Sequence, residues 1–136
     1  GPVFLDDEVR LYYGGSDWLH FGWRNGCLAL AMLRTDGFAG YSPINQDQPG
    51  TLTTNLMDYR GEEIQLTADV MPQGSIVVKL LNHNGEVIAE NSITGSTTDG
   101  VVVPASPLAT TLETSRVRLE FTVVSAQLFS FVLVGQ

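Results

Sequence analysis

Arg116-Val-Arg-Leu-Glu-Phe-Thr-Val123 decides the fold class. Its apolar residues Val117, Leu119, Phe121 and Val123 take every second position, and Arg116, Arg118, Glu120 and Thr122 fill the alternate ones. Only an extended chain, whose successive side chains point to opposite faces, separates the two sets. The stretch reads as a strand half-buried in an antiparallel sheet. Residues 63–70 repeat the pattern, with Ile64, Leu66, Ala68 and Val70 inward and Gln65, Thr67 and Asp69 outward. Residues 75–81 and 126–134 are apolar on both sides, as strands covered on both faces are.

Turn chemistry separates these runs. Asn82-His-Asn-Gly85 predicts a type I′ hairpin, with positive φ at Asn84 and Gly85, joining 75–81 to 86–90. Pro72-Gln-Gly74 closes the preceding strand, and Thr98-Asp-Gly100 leads into Val101-Val-Val103. Further strands are expected at 8–13, 27–33 and 51–57, each bounded by Gly or Pro. The run 27–34 holds good helix formers, but its seven or eight residues between Gly26 and Gly37 suit a strand better. No window has helical periodicity with caps. Nine to eleven short strands with regular turns predict an all-β fold, an antiparallel β-sandwich of jelly-roll-like type. Its expected core includes Ile64, Leu66, Ile76, Val78, Leu119, Phe121 and Phe131.

The bulk properties agree. The chain has 136 residues, 43% of them hydrophobic and 16% charged, which fits one β-sandwich domain over 1–136 with a core of its own. Residues 41–50, with Pro43 and Pro49, read as a connector between a distinct first part and the rest. The formal charge is −8, which excludes the basic stripe that nucleic acid demands and disfavours anionic membrane surfaces. No run of about 18 apolar residues exists, so no membrane-spanning helix is expected. Cys27 is the single cysteine, so no internal disulfide forms; its apolar neighbours predict a small buried thiol. The chain opens Gly1-Pro2 without Met, which reads as a trimmed terminus or a piece of a longer chain. Nothing in the sequence fixes the compartment.

Several segments together resemble a known family. Asp7-Glu-Val-Arg-Leu-Tyr-Tyr-Gly-Gly-Ser-Asp17, with His20 after it, resembles the closing segment of five-bladed β-propeller glycoside hydrolase proteins (the family 32/43 type). Leu28-Ala-Leu-Ala-Met-Leu-Arg-Thr-Asp-Gly-Phe38 resembles the strand and turn that follow in that family. Gly50-Thr-Leu-Thr-Thr54, then residues 74–88, Val117-Arg-Leu-Glu-Phe121 and Ala126-Gln-Leu-Phe-Ser-Phe131, resemble strands of the family's C-terminal β-sandwich, in the family's order. The resemblance implies a closing blade segment over 1–40 and the sandwich proper over 51–136. Residues 94–114 depart from the family, where an acidic-polar loop and a Trp are usual. The blades that carry the family's catalytic carboxylates are not in this sequence, so its activity does not transfer.

The residues themselves point the same way. Asp17 and His20 are the one pairing that resembles a base and its orienter. Glycoside hydrolysis, however, needs two carboxylates set around the bond, and Asp6-Asp7-Glu8 reads as a solvated turn. No catalytic residue is assigned and no enzyme is expected. Tyr12, Tyr13, Trp18, Phe21 and Trp23 fall within twelve residues among glycines, with Asp17, His20, Arg24 and Asn25 as polar neighbours. Aromatic faces stack on sugar C–H faces while such polar groups bond the hydroxyls. The expected ligand-binding set is Tyr12, Asp17, Trp18, His20, Trp23 and Arg24. Against this stands the reading that both Trp residues plug the sandwich end or meet a partner. His83 belongs to a turn, no metal-ligand spacing or Asp-rich calcium loop is present, and no cofactor is expected. Residues 91–99 read as a solvent loop. The expected function is a non-catalytic, carbohydrate-associated accessory module, with carbohydrate as partner. The alternatives are a structural domain that forms a homodimer or meets an adjacent domain, and an incomplete glycosidase fragment needing a partner.

Overall fold

The computed structural model describes residues 1–17, 25–106 and 115–135. The described chain is all-β and antiparallel, with nine strands in two compact units, Gly1–Phe38 and Ala39–Gln136. No helix among the described residues is long and apolar enough to cross a membrane.

The first unit is a three-stranded sheet in the order β1 (Val3–Phe4), β2 (Glu8–Ser16), β3 (Gly26–Arg34). β2 and β3 pair along their full length, from Glu8↔Arg34 to Ser16↔Gly26.

The second unit is built on two strands of twenty residues, β6 (Glu63–Asn82) and β9 (Ser115–Val134). The sequence signals predicted four shorter strands here. Residues 72–74 were expected to end a strand, and instead they bend one. Val70 faces Ala126 and Ser75 faces Val124, so Met71, Pro72, Gln73 and Gly74 stand opposite the single residue Ser125. Such an excess on one strand forces a sharp bend. Gln73 and Ser125 take positive φ, 68° and 43°, to complete it. Pro72 is tolerated because the bulge residues lie outside the ladder. Gly74 is required: a Cβ there would lie 2.2 Å from the Ser125 carbonyl oxygen and 2.9 Å from that of Val124.

The bend turns one ribbon into two layers. The first half of β6, the second half of β9 and β8 (Thr97–Val103) form one layer. The other comprises the second half of β6, the first half of β9, β4 (Gly50–Thr53), β5 (Met57–Tyr59) and β7 (Val87–Ile93). Ile64, Leu66 and Ala68 of one layer and Ile76, Val78, Leu80, Leu119 and Phe121 of the other share one core, as a sandwich requires. Phe121 and Phe131 meet across it at a ring separation of 5.6 Å. The alternation on β9 shifts parity at Ser125 and again near Phe129, so 117–123 point inward on odd positions and Ala126 and Leu128 on even ones.

Several local expectations are corrected. Thr67 points away from the core yet is 0% exposed, because β8 bulges over it; the Asp99 N–H donates to Thr67 Oγ1 at 3.1 Å. Residues 91–99 are no open loop, since β7 runs to Ile93 and β8 starts at Thr97. Residues 41–50 are not a free connector: Tyr41 and Leu128 exchange both backbone hydrogen bonds, Ser125 N–H donates to Gln46 O, and Pro43 is buried. The β6–β7 hairpin is not type I′, because of its Asn-Gly pair only Gly85 has positive φ, 87°. Its loop is His83-Asn84-Gly85, closed by Gly85 N–H to Asn82 O at 3.0 Å and Asn82 N–H to Glu86 O at 2.9 Å. Asn82 Oδ1 accepts from the N–H groups of Asn84 and Glu86, which favours the three-residue turn with Gly in the left-handed position.

Phe121 is fully buried between the layers. Phe121→Ala is expected to cost about 3–5 kcal/mol in urea unfolding; a loss below about 0.5 kcal/mol, the level of a neutral surface change, would show that the core faces are wrongly assigned.

Candidate functional site

The first unit carries the chemistry the sequence singled out. Its register sorts β2 and β3 into two faces. One face carries Val9, Leu11, Tyr13 and Gly15 against Leu33, Ala31, Ala29 and Cys27. The other carries Arg10, Tyr12, Gly14 and Ser16 against Met32, Leu30, Leu28 and Gly26. Tyr12 and Tyr13, adjacent in sequence, therefore stand on opposite faces, and both are about half exposed, at 51% and 54%.

Asp17 closes the far end of the β2–β3 ladder. Its N–H donates to Asn25 O at 3.4 Å, Asn25 N–H donates to Asp17 Oδ1 at 2.9 Å, and Asn25 Nδ2 donates to Asp17 Oδ2 at 2.8 Å. The pair joins the two ends of segment 18–24. The Asn25 side-chain amide, and after it the Asn25 backbone N–H, holds the Asp17 carboxyl below the usual carboxylate range.

Between Tyr13 and Asp17 the sheet has little side-chain cover. Gly14, Gly15, Ser16, Gly26 and Cys27 line a hollow of about 460 Å³. A Cβ on Gly15 would sit 3.1 Å from Cys27 Sγ, so the thiol forms part of the floor. Cys27 is exposed and not buried as its neighbours suggested, because the residue opposite it is a glycine with no side chain to cover it. Tyr13, Gly15 and Asp17 alternate in sequence, about 13 Å from first to last in an extended chain; the lining of the hollow draws on both faces, Gly15 and Cys27 from one and Gly14, Ser16 and Gly26 from the other.

Of the expected ligand-binding residues, Asp17 directly follows Ser16 of the hollow's lining. Tyr12 stands on the face of Gly14, Ser16 and Gly26, and Tyr13 on that of Gly15 and Cys27. Trp18, His20, Trp23 and Arg24 lie outside the described residues, as does Phe21. Asn25 is bonded to Asp17 and lies outside the expected set. No group of three or more His, Cys, Asp or Glu among the described residues is placed to hold a metal ion. On the other face Tyr12, Leu28, Leu30 and Met32 form an exposed apolar strip, with Leu28 at 78% and Met32 at 60%. It is bordered by Arg10, which is paired with Glu8.

Comparison with protein families, with characterised proteins and with solved structures finds no match.

A carboxyl whose folded pKa is depressed contributes stability above its unfolded pKa and loses it as pH falls through the lowered folded value. The Asp17–Asn25 pair is thus expected to persist at neutral pH and to open in acid. An NMR titration should place the Asp17 carboxyl below the usual carboxylate range, and Asn25→Ala should raise it towards that range. An unshifted Asp17 in the wild-type chain would refute the hydrogen-bonded pair.

Proposed function

We propose that the chain is a non-catalytic, carbohydrate-associated module that holds a sugar ring over the hollow between Tyr13 and the Asp17–Asn25 pair. The observation that carries this reading is the order along the chain: an exposed phenol, a pair of glycines, then a carboxylate paired with an amide. A pyranose ring needs those three things, an aromatic plane for its C–H face, room for close backbone approach, and acceptors for its hydroxyls. Asp17 keeps lone pairs beyond the two it gives to Asn25. The segment that Asp17 and Asn25 join carries Trp18, His20, Trp23 and Arg24 in its sequence, more groups of the same chemistry. The lining of the hollow contains no carboxylate, and Asp17 alone does not make the two-carboxylate arrangement of glycoside hydrolysis. The role proposed for the site is therefore binding. The resemblance of the chain to a closing propeller blade and its appended sandwich fits a place beside a carbohydrate-active partner.

A second reading rests on the opposite face. An apolar strip such as Tyr12, Leu28, Leu30 and Met32 is uncommon on a monomer's surface. A structural module would cover it with a second copy of the chain or with an adjacent domain.

A glycan array with purified wild-type chain separates the two. Binding is expected, with Tyr13→Ala weakening it by about 0.5–1.5 kcal/mol, the worth of an aromatic stacking contact, and Tyr12→Ala leaving it unchanged. Silence from a folded wild-type chain, or equal loss in both variants, would overturn the sugar reading. A mass in sedimentation that halves on dilution would then favour the structural one.

A further inference from the structure

The chain contains two Asn-Gly pairs, Asn25-Gly26 and Asn84-Gly85, and the structure treats them differently. We propose that Asn84 is a site of spontaneous deamidation and that Asn25 is held back from the same reaction by Asp17. In this reaction the backbone nitrogen of the following residue forms a bond to the Asn Cγ. The Cγ–Nδ2 bond breaks, and ammonia leaves with the proton from that backbone nitrogen. Water then opens the resulting five-membered imide at either carbonyl. The product is Asp, or isoAsp with an extra methylene in the backbone. Glycine in the following position removes the Cβ that would shield the attacking nitrogen, so both pairs are primed by sequence.

Their surroundings differ. Asn84 lies at the exposed tip of the β6–β7 hairpin. Among the described residues no group holds its carboxamide; its backbone N–H alone is bonded, to Asn82 Oδ1. The attacking Gly85 nitrogen is tied by one hydrogen bond, to Asn82 O, and bonds at loop tips open readily. The Asn25 carboxamide is turned towards Asp17 by its 2.8 Å bond to Oδ2, and the Asn25 backbone is fixed through both its N–H and its C=O to the same residue. Swinging Cγ onto the Gly26 nitrogen requires that arrangement to break.

The consequence at Asn84 is structural. An isoAsp link lengthens the loop between Asn82 and Glu86, whose spacing lets Asn82 O meet the Gly85 N–H and Asn82 N–H meet Glu86 O. The hairpin that starts β7 loosens with age, and the net charge becomes more negative.

The purified full chain is held at mildly alkaline pH and followed by peptide mass mapping, with enzymatic methylation to report isoAsp. In the native chain Asn84 is expected to convert about tenfold faster than Asn25, a modest difference in barrier. In urea the two rates should converge. In Asp17→Ala the Asn25 rate should rise while that of Asn84 stays as it was. Equal rates in the native chain, a ratio that survives urea, or an Asn25 rate unmoved by Asp17→Ala would each overturn the proposal. Circular dichroism checks that the variant is folded, and the urea comparison on the wild-type chain decides independently if it is not.

Discussion

The antiparallel pairing of β6 with β9, bent at one point, is the constraint from which the second unit follows. β4 and β5 attach to the first half of β9, β7 to the second half of β6, and β8 to the first half of β6. None of these shorter strands has another long partner among the described residues. The core exists because the bend between Val70 and Ser75 brings the two halves of the ribbon face to face. A flat pair of this length would leave Ile64, Leu66, Ile76, Val78, Leu119 and Phe121 in water, and burying such side chains contributes about 1.5–3 kcal/mol each. The bend is in turn held from outside, because Gln46 O accepts from both the N–H and the Oγ of Ser125.

The first unit obeys different physics. A three-stranded sheet has little interior of its own, and Val9 is its one fully buried large side chain among the described residues. Its stability rests on ladder pairing and on the closing contacts at its ends, and its faces are left for other contacts. One face offers the Tyr13 phenol, and the other the apolar strip of Tyr12, Leu28, Leu30 and Met32. The sugar reading and the structural reading divide along that line because adjacent residues on a strand cannot share a face.

What could be read from the sequence followed the strength of its periodicity. The alternation at 63–70 and 116–123 identified true strands and true inward positions, and Ile64, Leu66, Ile76, Val78, Leu119 and Phe121 are all buried. The continuity of β6 through Pro72-Gln-Gly74 was not legible, because the same residues end a strand or bulge it according to what stands opposite, here Ser125, fifty residues on. The hairpin at 82–86 misled for a local reason: Asn82 supplies side-chain bonds that favour a different turn from the one Asn-Gly alone prefers. Cys27 has apolar neighbours in sequence but a glycine across the sheet, and only the register shows that. At the site, aromatic clustering in sequence put Tyr12 and Tyr13 together, while the pleat sends them apart.

A bend at Gly74 makes the sandwich, and urea unfolding of Gly74→Ala shows whether the fold depends on it. The three nearest atoms to an added Cβ are the backbone oxygens of Ser125, Val124 and Met71, which cannot swing aside as a side chain would. A loss of about 1–3 kcal/mol is expected, the usual cost of overpacking a tight site, with the amides of both halves of β6 exchanging faster together. A variant as stable as the wild type, with β6 and β9 protection intact, would contradict it.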